Sequence, residues 1–247
     1  MTNNLMQYIK SNRLDEIIDF NKKSRKPDEA FAPEAEDLVR LHKLIRQKKS
    51  FTVLEFGVGF STLVIADALK KNKEDWKSLK IKPQIRNRFL FKVFSVDASK
   101  KWINVVRKKL PKQLSPFIKL HYSLVSIGTY QGQLCHYYDN LPDIVADFIY
   151  LDAPDPKQVQ GNINGLSFKC DERTVMSADL LLLEPCLLPG TTILIDGRTN
   201  NARFLKNNFK RSYKYVWDKK GDVSIFELNE ERLGKYNLLG EDFYKKK

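Results

Sequence analysis

Four carboxylates, Glu55, Asp97, Asp152 and Asp196, each close a short apolar run that reads as a buried strand. In a parallel sheet all four would lie at one carboxyl edge, where α/β proteins bind their ligands. Carboxylates placed there can accept hydrogen bonds from a ribose, take a proton from a hydroxyl, or hold a hard cation. Just after Glu55, Gly57 and Gly59 make a bare turn into an apolar helix that begins near Ser61. Such a turn leaves the first helical N–H groups uncovered and lets a ligand approach backbone that has no Cβ. Asp97 closes the second strand, the position from which a carboxylate can accept both hydroxyls of an adenosine ribose. A dinucleotide fingerprint would carry a third glycine, and here that position is Thr62.

The elements that must place these groups alternate strand and helix. Thr52 to Leu54 begins the first strand, and Phe51 to Ala68 is the first βα unit. Phe91 to Val96 is a second strand, followed by a helix from Ser99 to Leu110 with Trp102, Val105, Val106 and Leu110 inward. Phe117 to Tyr122 is a third strand, and Ser123 to Pro142 an irregular stretch with room for a short hairpin. Ala146 to Leu151 is apolar in the manner of a central parallel strand. A loop rich in Pro, Gly and Asn leads from Ala153 to about Lys169, then a helix from Thr174 to Leu187. Thr191 to Ile195 is another buried strand, and Asn200 to Phe209 a helix with Ala202, Leu205 and Phe209 on one face. Tyr213, Tyr215 and Trp217 alternate before a turn at Lys219 to Asp222, and Val223 to Leu228 returns.

Five βα repeats and a hairpin predict an α/β, Rossmann-like, doubly wound and mostly parallel seven-stranded sheet with a C-terminal antiparallel hairpin. Residues 1–48 precede it as an N-terminal helical extension. Leu14, Ile17 and Ile18 mark one helix, and Leu38, Leu41, Leu44 and Ile45 a second, with Asn21 to Pro33 as connector. That pair can cover a cofactor pocket or form a homodimer face. Residues 49–247 make the main domain, in which 70–90 reads as a basic insertion with a short helix around Trp76. An ordinary αβ connection needs only about 2–6 residues.

The 247 residues suit one α/β domain with an appendage, and 42% hydrophobic content is that of a soluble globular chain. The longest apolar run, Leu180 to Leu188, is broken by Glu184 and Pro185, and MTNNLMQYIKSNR lacks an apolar signal core. Cys135, Cys170 and Cys186 lack CxxC spacing and read as reduced thiols of a cytoplasmic protein. The expectation is therefore a cytoplasmic location and no membrane partner. A formal charge of +13 raises the question of an anionic partner, and nine Lys or Arg fall between Lys70 and Lys92.

The segment Val53-Leu54-Glu55-Phe56-Gly57-Val58-Gly59-Phe60-Ser61-Thr62 resembles the first motif of class I S-adenosylmethionine-dependent methyltransferases. FSVDAS around Asp97, FIYLDAPD around Asp152 and LLPGTTILID before Asp196 resemble later motifs of that family, so the likeness spans about residues 50–228. It implies S-adenosylmethionine as cofactor, with Gly57 and Gly59 beneath its methionine part, Glu55 close by, and Ser61 and Thr62 also among the cofactor-binding residues. Asp97 and Ala98 would hold the ribose side, and Asp152 would face both donor and acceptor. Where the family often has an acidic or polar adenine contact, Ser123 to Ser126 offers serines. LLLLEPCLLPGTTILIDGR is also similar to catechol-type O-methyltransferases, which implies Mg²⁺ at Asp152 and Asp196; their third ligand falls on Gly197 and their lysine base on Asp155.

A sulfonium is already an activated donor, so catalysis needs in-line positioning and deprotonation of the acceptor. Asp152 or Asp155 can take that proton, with His136 and His121 as alternatives. The loop from Lys157 to Lys169, including Asn162, is placed to cover an acceptor, and Arg198 and Arg203 can bind an anionic group on it. The leading expectation is O-methylation of a small hydroxylated metabolite or sugar. An RNA or DNA methyltransferase is the alternative, motivated by the charge, although Asp152-Ala153-Pro154-Asp155 lacks the aromatic that would stack on a base. A non-catalytic, cofactor-binding regulatory subunit is the third.

Overall fold

The computed structural model describes residues 3–22, 32–80, 82, 85, 87–232 and 234. Among them the strands are β1 (Thr52–Phe56), β2 (Lys92–Asp97), β3 (Ile118–Tyr122), β4 (Val125–Tyr130), β5 (Gln133–Tyr138), β6 (Phe148–Leu151), β7 (Val159–Gln160), β8 (Thr192–Asp196), β9 (Tyr213–Asp218) and β10 (Val223–Leu228). The helices are α1 (Asn3–Ser11), α2 (Ala35–Lys48), α3 (Phe60–Ser78), α4 (Lys100–Lys109), α5 (Asp179–Leu183) and α6 (Thr199–Asn208).

The main sheet has seven strands in the order β3-β2-β1-β6-β8-β10-β9. The first five are parallel, and β10 enters antiparallel between β8 and β9. Every side chain of β1 and β6 is buried, as expected for strands covered on both faces. The twofold period divides them: Val53 packs toward Leu41, Ile45 and Val64, while Leu54 and Phe56 pack toward Tyr138 and Phe168. One core layer thus lies under α2 and α3, and the other under the β4–β5 hairpin, α5 and α6.

Several expectations need correction. The third crossover carries no helix; β4 and β5 form a full antiparallel hairpin, with β7 beside β4 in a second, three-stranded sheet. Gln131 and Gly132 both have positive φ, 50° and 78°, which suits a two-residue hairpin turn. The 70–90 insertion is shorter than its polarity suggests, because α3 runs unbroken to Ser78. No Gly or Pro interrupts those turns, Trp76 packs edge-on to Phe51 at 5.3 Å, and the Asn72 amide donates to the carbonyls of Ile45 and Ser50.

The expected helix at Thr174–Leu187 shrinks to α5 and a 3₁₀ turn at Glu184–Cys186. Residues 174–178 are not helical, because the His136 backbone pairs with that of Met176 and Ala178, while Asn201 accepts from Ser177 N–H. α1 stops at Ser11; Leu14 sits in a 3₁₀ turn after Arg13, whose φ of 55° ends the helix. Most of the expected connector, residues 23–31, lies outside the described residues. On α4 the buried residue is Ile103, with Trp102, Val105, Val106 and Leu110 only half-buried. No helix among the described residues is long and apolar enough to cross a membrane.

Candidate active site

The chain leaves β1 at Phe56 and turns at Gly57, whose φ of +115° is one that side-chain-bearing residues rarely adopt. A Cβ there would also lie 3.3 Å from Ala153 Cβ, whereas a Cβ on Gly59 would meet nothing within 4 Å. The turn is tied down from behind. Gly59 N–H donates to Thr62 Oγ1 at 3.1 Å, and the Thr62 hydroxyl donates to Glu55 Oε2 at 2.7 Å, which also accepts from Ser95. Glu55 is fully buried; burial raises its carboxyl to about 7, and the hydroxyls of Ser61, Ser95 and Thr62 oppose that rise. It therefore braces the turn from within the core.

In front of the turn is a chamber of about 620 Å³. Gly57, Gly59, Ser61, Asp97 and Trp102 line one side of it. Asp97 is raised to about 6 by burial, against hydrogen bonds from the backbone N–H of Ser99 (2.6 Å to Oδ1) and of Val58. Pro33, Glu34, Asp37 and Leu38, at the start of α2, line another side. A second chamber of about 580 Å³ adjoins it, walled by Lys157, Cys170, Arg173, Thr174, Asn200 and Asn201. Asp152, Asp155, Asp196, Gly197 and Arg198 line both chambers and form their junction.

At that junction the Arg198 guanidinium donates to the carbonyls of Asp152 (2.7 Å) and Pro154 (3.2 Å), and its Nε lies 3.8 Å from Asp152 Oδ1. The Asp152 side chain is 54% exposed to the chambers, yet protein surrounds its other sides. Burial lifts it to about 6, Arg198 opposes the rise, and Asp196, Asp37 and Glu34 add to it. Asp196 is also raised, first by burial and then by Asp37, and its Oδ2 accepts the Tyr150 hydroxyl at 2.9 Å. Asp155 Oδ1 accepts Lys157 N–H at 2.8 Å.

The structure thus brings Gly57, Gly59, Ser61, Asp97, Asp152, Asp155, Asp196 and Arg198 to the two chambers. Glu55, Thr62 and Ala98 stand behind the walls, lining neither chamber. Asn162 is exposed on its loop and lines neither; only Lys157 and its neighbours at the loop's start reach the second chamber. Arg203 is on the outer face of α6, over the Trp217 ring at 5.6 Å, because Ala202 and Leu205 take the inner face. His121 Nε2 bonds the carbonyl of Asn140 outside both chambers. His136 is fully buried with no hydrogen bond to its ring, lowered to about 3 by burial and then by Arg198. Sequence reasoning missed Glu34, Asp37, Trp102 and Tyr150 in the first chamber and Arg173, Thr174, Asn200 and Asn201 in the second.

The acids at the junction, Asp152 and Asp196, are two of the positions at which the resemblance would place Mg²⁺. Arg198 faces Asp152, the third ligand position is Gly197, and among the described residues no group of three or more His, Cys, Asp or Glu is arranged to hold a metal ion. The turn and Asp97 do fit a nucleoside-bearing methyl donor: bare backbone at Gly59 opens on the chamber, and a carboxylate stands at the end of β2.

No family model matches the chain, and no curated protein matches it in sequence. Among solved structures it is similar to the SAH-bound Podospora anserina methyltransferase PaMTH1, at 14% identity and a TM-score of 0.50 over 93% of this chain and 89% of that one. It is also similar to cofactor-bound Rv0187 from MTB (14% identity, TM-score 0.47, 94% and 92% covered). A third is the O-methyltransferase TomG from Streptomyces achromogenes in complex with SAM (13% identity, TM-score 0.44, 93% and 91% covered). Identities this low speak to fold alone. The chain has the fold of a class I S-adenosylmethionine-dependent methyltransferase, with its mostly parallel seven-stranded sheet and antiparallel terminal hairpin.

Proposed function

We propose that the protein is an S-adenosylmethionine-dependent methyltransferase acting on a hydroxyl of a small polar acceptor, a hydroxylated metabolite or sugar. One observation carries this reading. A chamber floored by the glycine turn and Asp97 opens, across Asp152, Asp196 and Arg198, into a second chamber built of amides, hydroxyls and charges. When bound, the cofactor supplies a methyl group already activated by its sulfonium, which leaves positioning and proton removal to the chain. Asp97 is the ribose partner, and Gly57, Gly59 and Ser61 admit the methionine part. Asp152 takes the acceptor's proton from its place at the junction, with Asp155 beside it, and Arg198 holds the backbone of Asp152 and Pro154 in place. Asn200, Asn201, Thr174 and Arg173 are the acceptor's hydrogen-bond partners.

The second chamber has no aromatic wall and the first is rimmed by acids, so neither stacking of a base nor approach of a phosphate backbone is favoured. A cytoplasmic setting accords with three cysteines that are free of disulfides. Calorimetric titration with S-adenosylmethionine, S-adenosylhomocysteine and NAD tests the donor, and methyl transfer to a panel of sugars and other polyols tests the acceptor. Binding of the first two ligands and turnover unaffected by a metal chelator are expected. Binding of NAD alone would overturn the reading, and tight, salt-sensitive binding of tRNA or duplex DNA would replace the acceptor class.

A further inference from the structure

We infer that the N-terminal extension belongs to the donor site, where Glu34 and Asp37 make the chamber favour the positively charged donor over its neutral demethylated product. This rests on the methyltransferase reading of the same chamber. α2 is a separate element that precedes the first βα unit, yet its first turn forms the wall with Pro33, Glu34, Asp37 and Leu38. Its position is fixed along α3. Leu38, Leu41 and Ile45 pack in one core layer with Leu63, Val64 and Ala68. His42 Nε2 lies 3.0 Å from Asp67 Oδ2, both buried, and Arg46 Nη1 donates to Asn72 Oδ1 at 2.6 Å. Asp37 is therefore held in the first turn of the helix, and Glu34 at its N-cap.

Charge is what this wall adds. Among the described residues, Glu34, Asp37, Asp97, Asp152, Asp155 and Asp196 line the chamber together with one guanidinium, that of Arg198. The chain as a whole is at +13, so the local sign opposes the composition. Asp37 Oδ1 accepts from Arg40 Nη1 at 2.7 Å, which orients it and offsets part of its charge. Glu34 is raised by its hydrogen bond to Asp37, then by burial and by the charges of Asp37 and Asp196. S-adenosylmethionine carries a positive sulfur, and S-adenosylhomocysteine differs from it only in lacking that charge and the methyl group that is transferred. Fixed carboxylates lining the chamber then stabilise the first relative to the second. Product release is eased by the same difference.

The test is binding, read separately from turnover. Wild type, Glu34→Gln, Asp37→Asn and the double variant are titrated calorimetrically with S-adenosylmethionine and with S-adenosylhomocysteine, after circular dichroism has confirmed folding. The double variant should lose donor affinity by about 3- to 10-fold while product affinity stays within about twofold. Arg40→Gln, which removes the counter-charge on Asp37, should shift the donor-to-product ratio the opposite way. Equal losses on both ligands would show a wall that acts by shape and overturn the proposal, as would an unchanged ratio in all variants. Wild type binding neither ligand would remove the methyltransferase reading itself, a result distinct from either.

Discussion

Acids gather at one edge of the main sheet, and at the other gather lysines and arginines, some of them paired with Asp75 and Glu227. At the strand ends Asp97, Asp152 and Asp196 meet Glu34 and Asp37 from the start of α2. At the strand starts lie the last turns of α2, α3 and α4, with Arg46 and Lys48, Lys77, and Arg107, Lys108 and Lys109. Lys92 and Lys119 stand at the starts of β2 and β3; Lys92 is lowered by burial, then by Lys119 and Lys73 crowding it. Cations at helix C-termini complement the partial negative charge there, worth ~0.3–1 kcal/mol each. Among the described residues these cations stand away from the chambers, so the whole-chain charge of +13 says little about what enters them. A whole-chain charge reports on a ligand only when topology brings that charge to the site.

The largest expected effect belongs to the acidic edge. Asp152→Ala removes the proposed proton acceptor at the junction of the chambers and should lower kcat by about 10²–10⁴-fold, the usual worth of a general base. S-adenosylmethionine affinity, measured by calorimetry, should change far less, because Asp97 and the glycine turn remain. Loss of donor binding with turnover number intact would move Asp152 from proton transfer to the cofactor and break the assignment.

The acids at strand ends were legible because an apolar run followed by Glu or Asp is a local pattern, and so was the glycine turn. The fold followed from the order of such runs, and the terminal hairpin from alternating Tyr213, Tyr215 and Trp217. Glu34 and Asp37 were not legible. Their place in the chamber depends on α2 lying along α3, and nothing near them in the chain signals a ligand. Polarity misled at Lys70 to Ser78, which is the outer, basic half of a helix anchored by buried Asn72 and by Trp76. Nearness in sequence misled at Arg203, because five residues beyond Arg198 the helix has turned it toward Trp217.

Glu55, the one acid of the active edge that faces the core, should respond differently from the acids in water. Burial raises it to about 7, above the ~4.3 of an unfolded chain. The folded chain therefore holds this proton more tightly, so the stability it lends is complete below about pH 4 and lost as pH rises through 7. Glu55→Gln keeps an oxygen for Thr62 and Ser95 and removes the titration. Denaturant unfolding at a series of pH values should show the variant gaining about 3 kcal/mol on wild type between pH 4 and pH 8. A constant difference across that range would mean that Glu55 is not held protonated by the core.

The smallest effect is expected at the basic edge, and it is the one that tests the contrast itself. Lys108→Gln and Lys119→Gln remove charge from the end of α4 and the start of β3, far along the strands from both chambers. Stability should move by no more than about 0.5 kcal/mol, as for most surface substitutions. Lys119→Gln should lie on the stabilising side, since it relieves crowding with Lys92. Donor affinity and turnover should stay within about twofold, because charges separated by more than about 8 Å of solvent are screened at physiological salt. A marked fall in either would mean that the two edges communicate and that the basic edge takes part in binding.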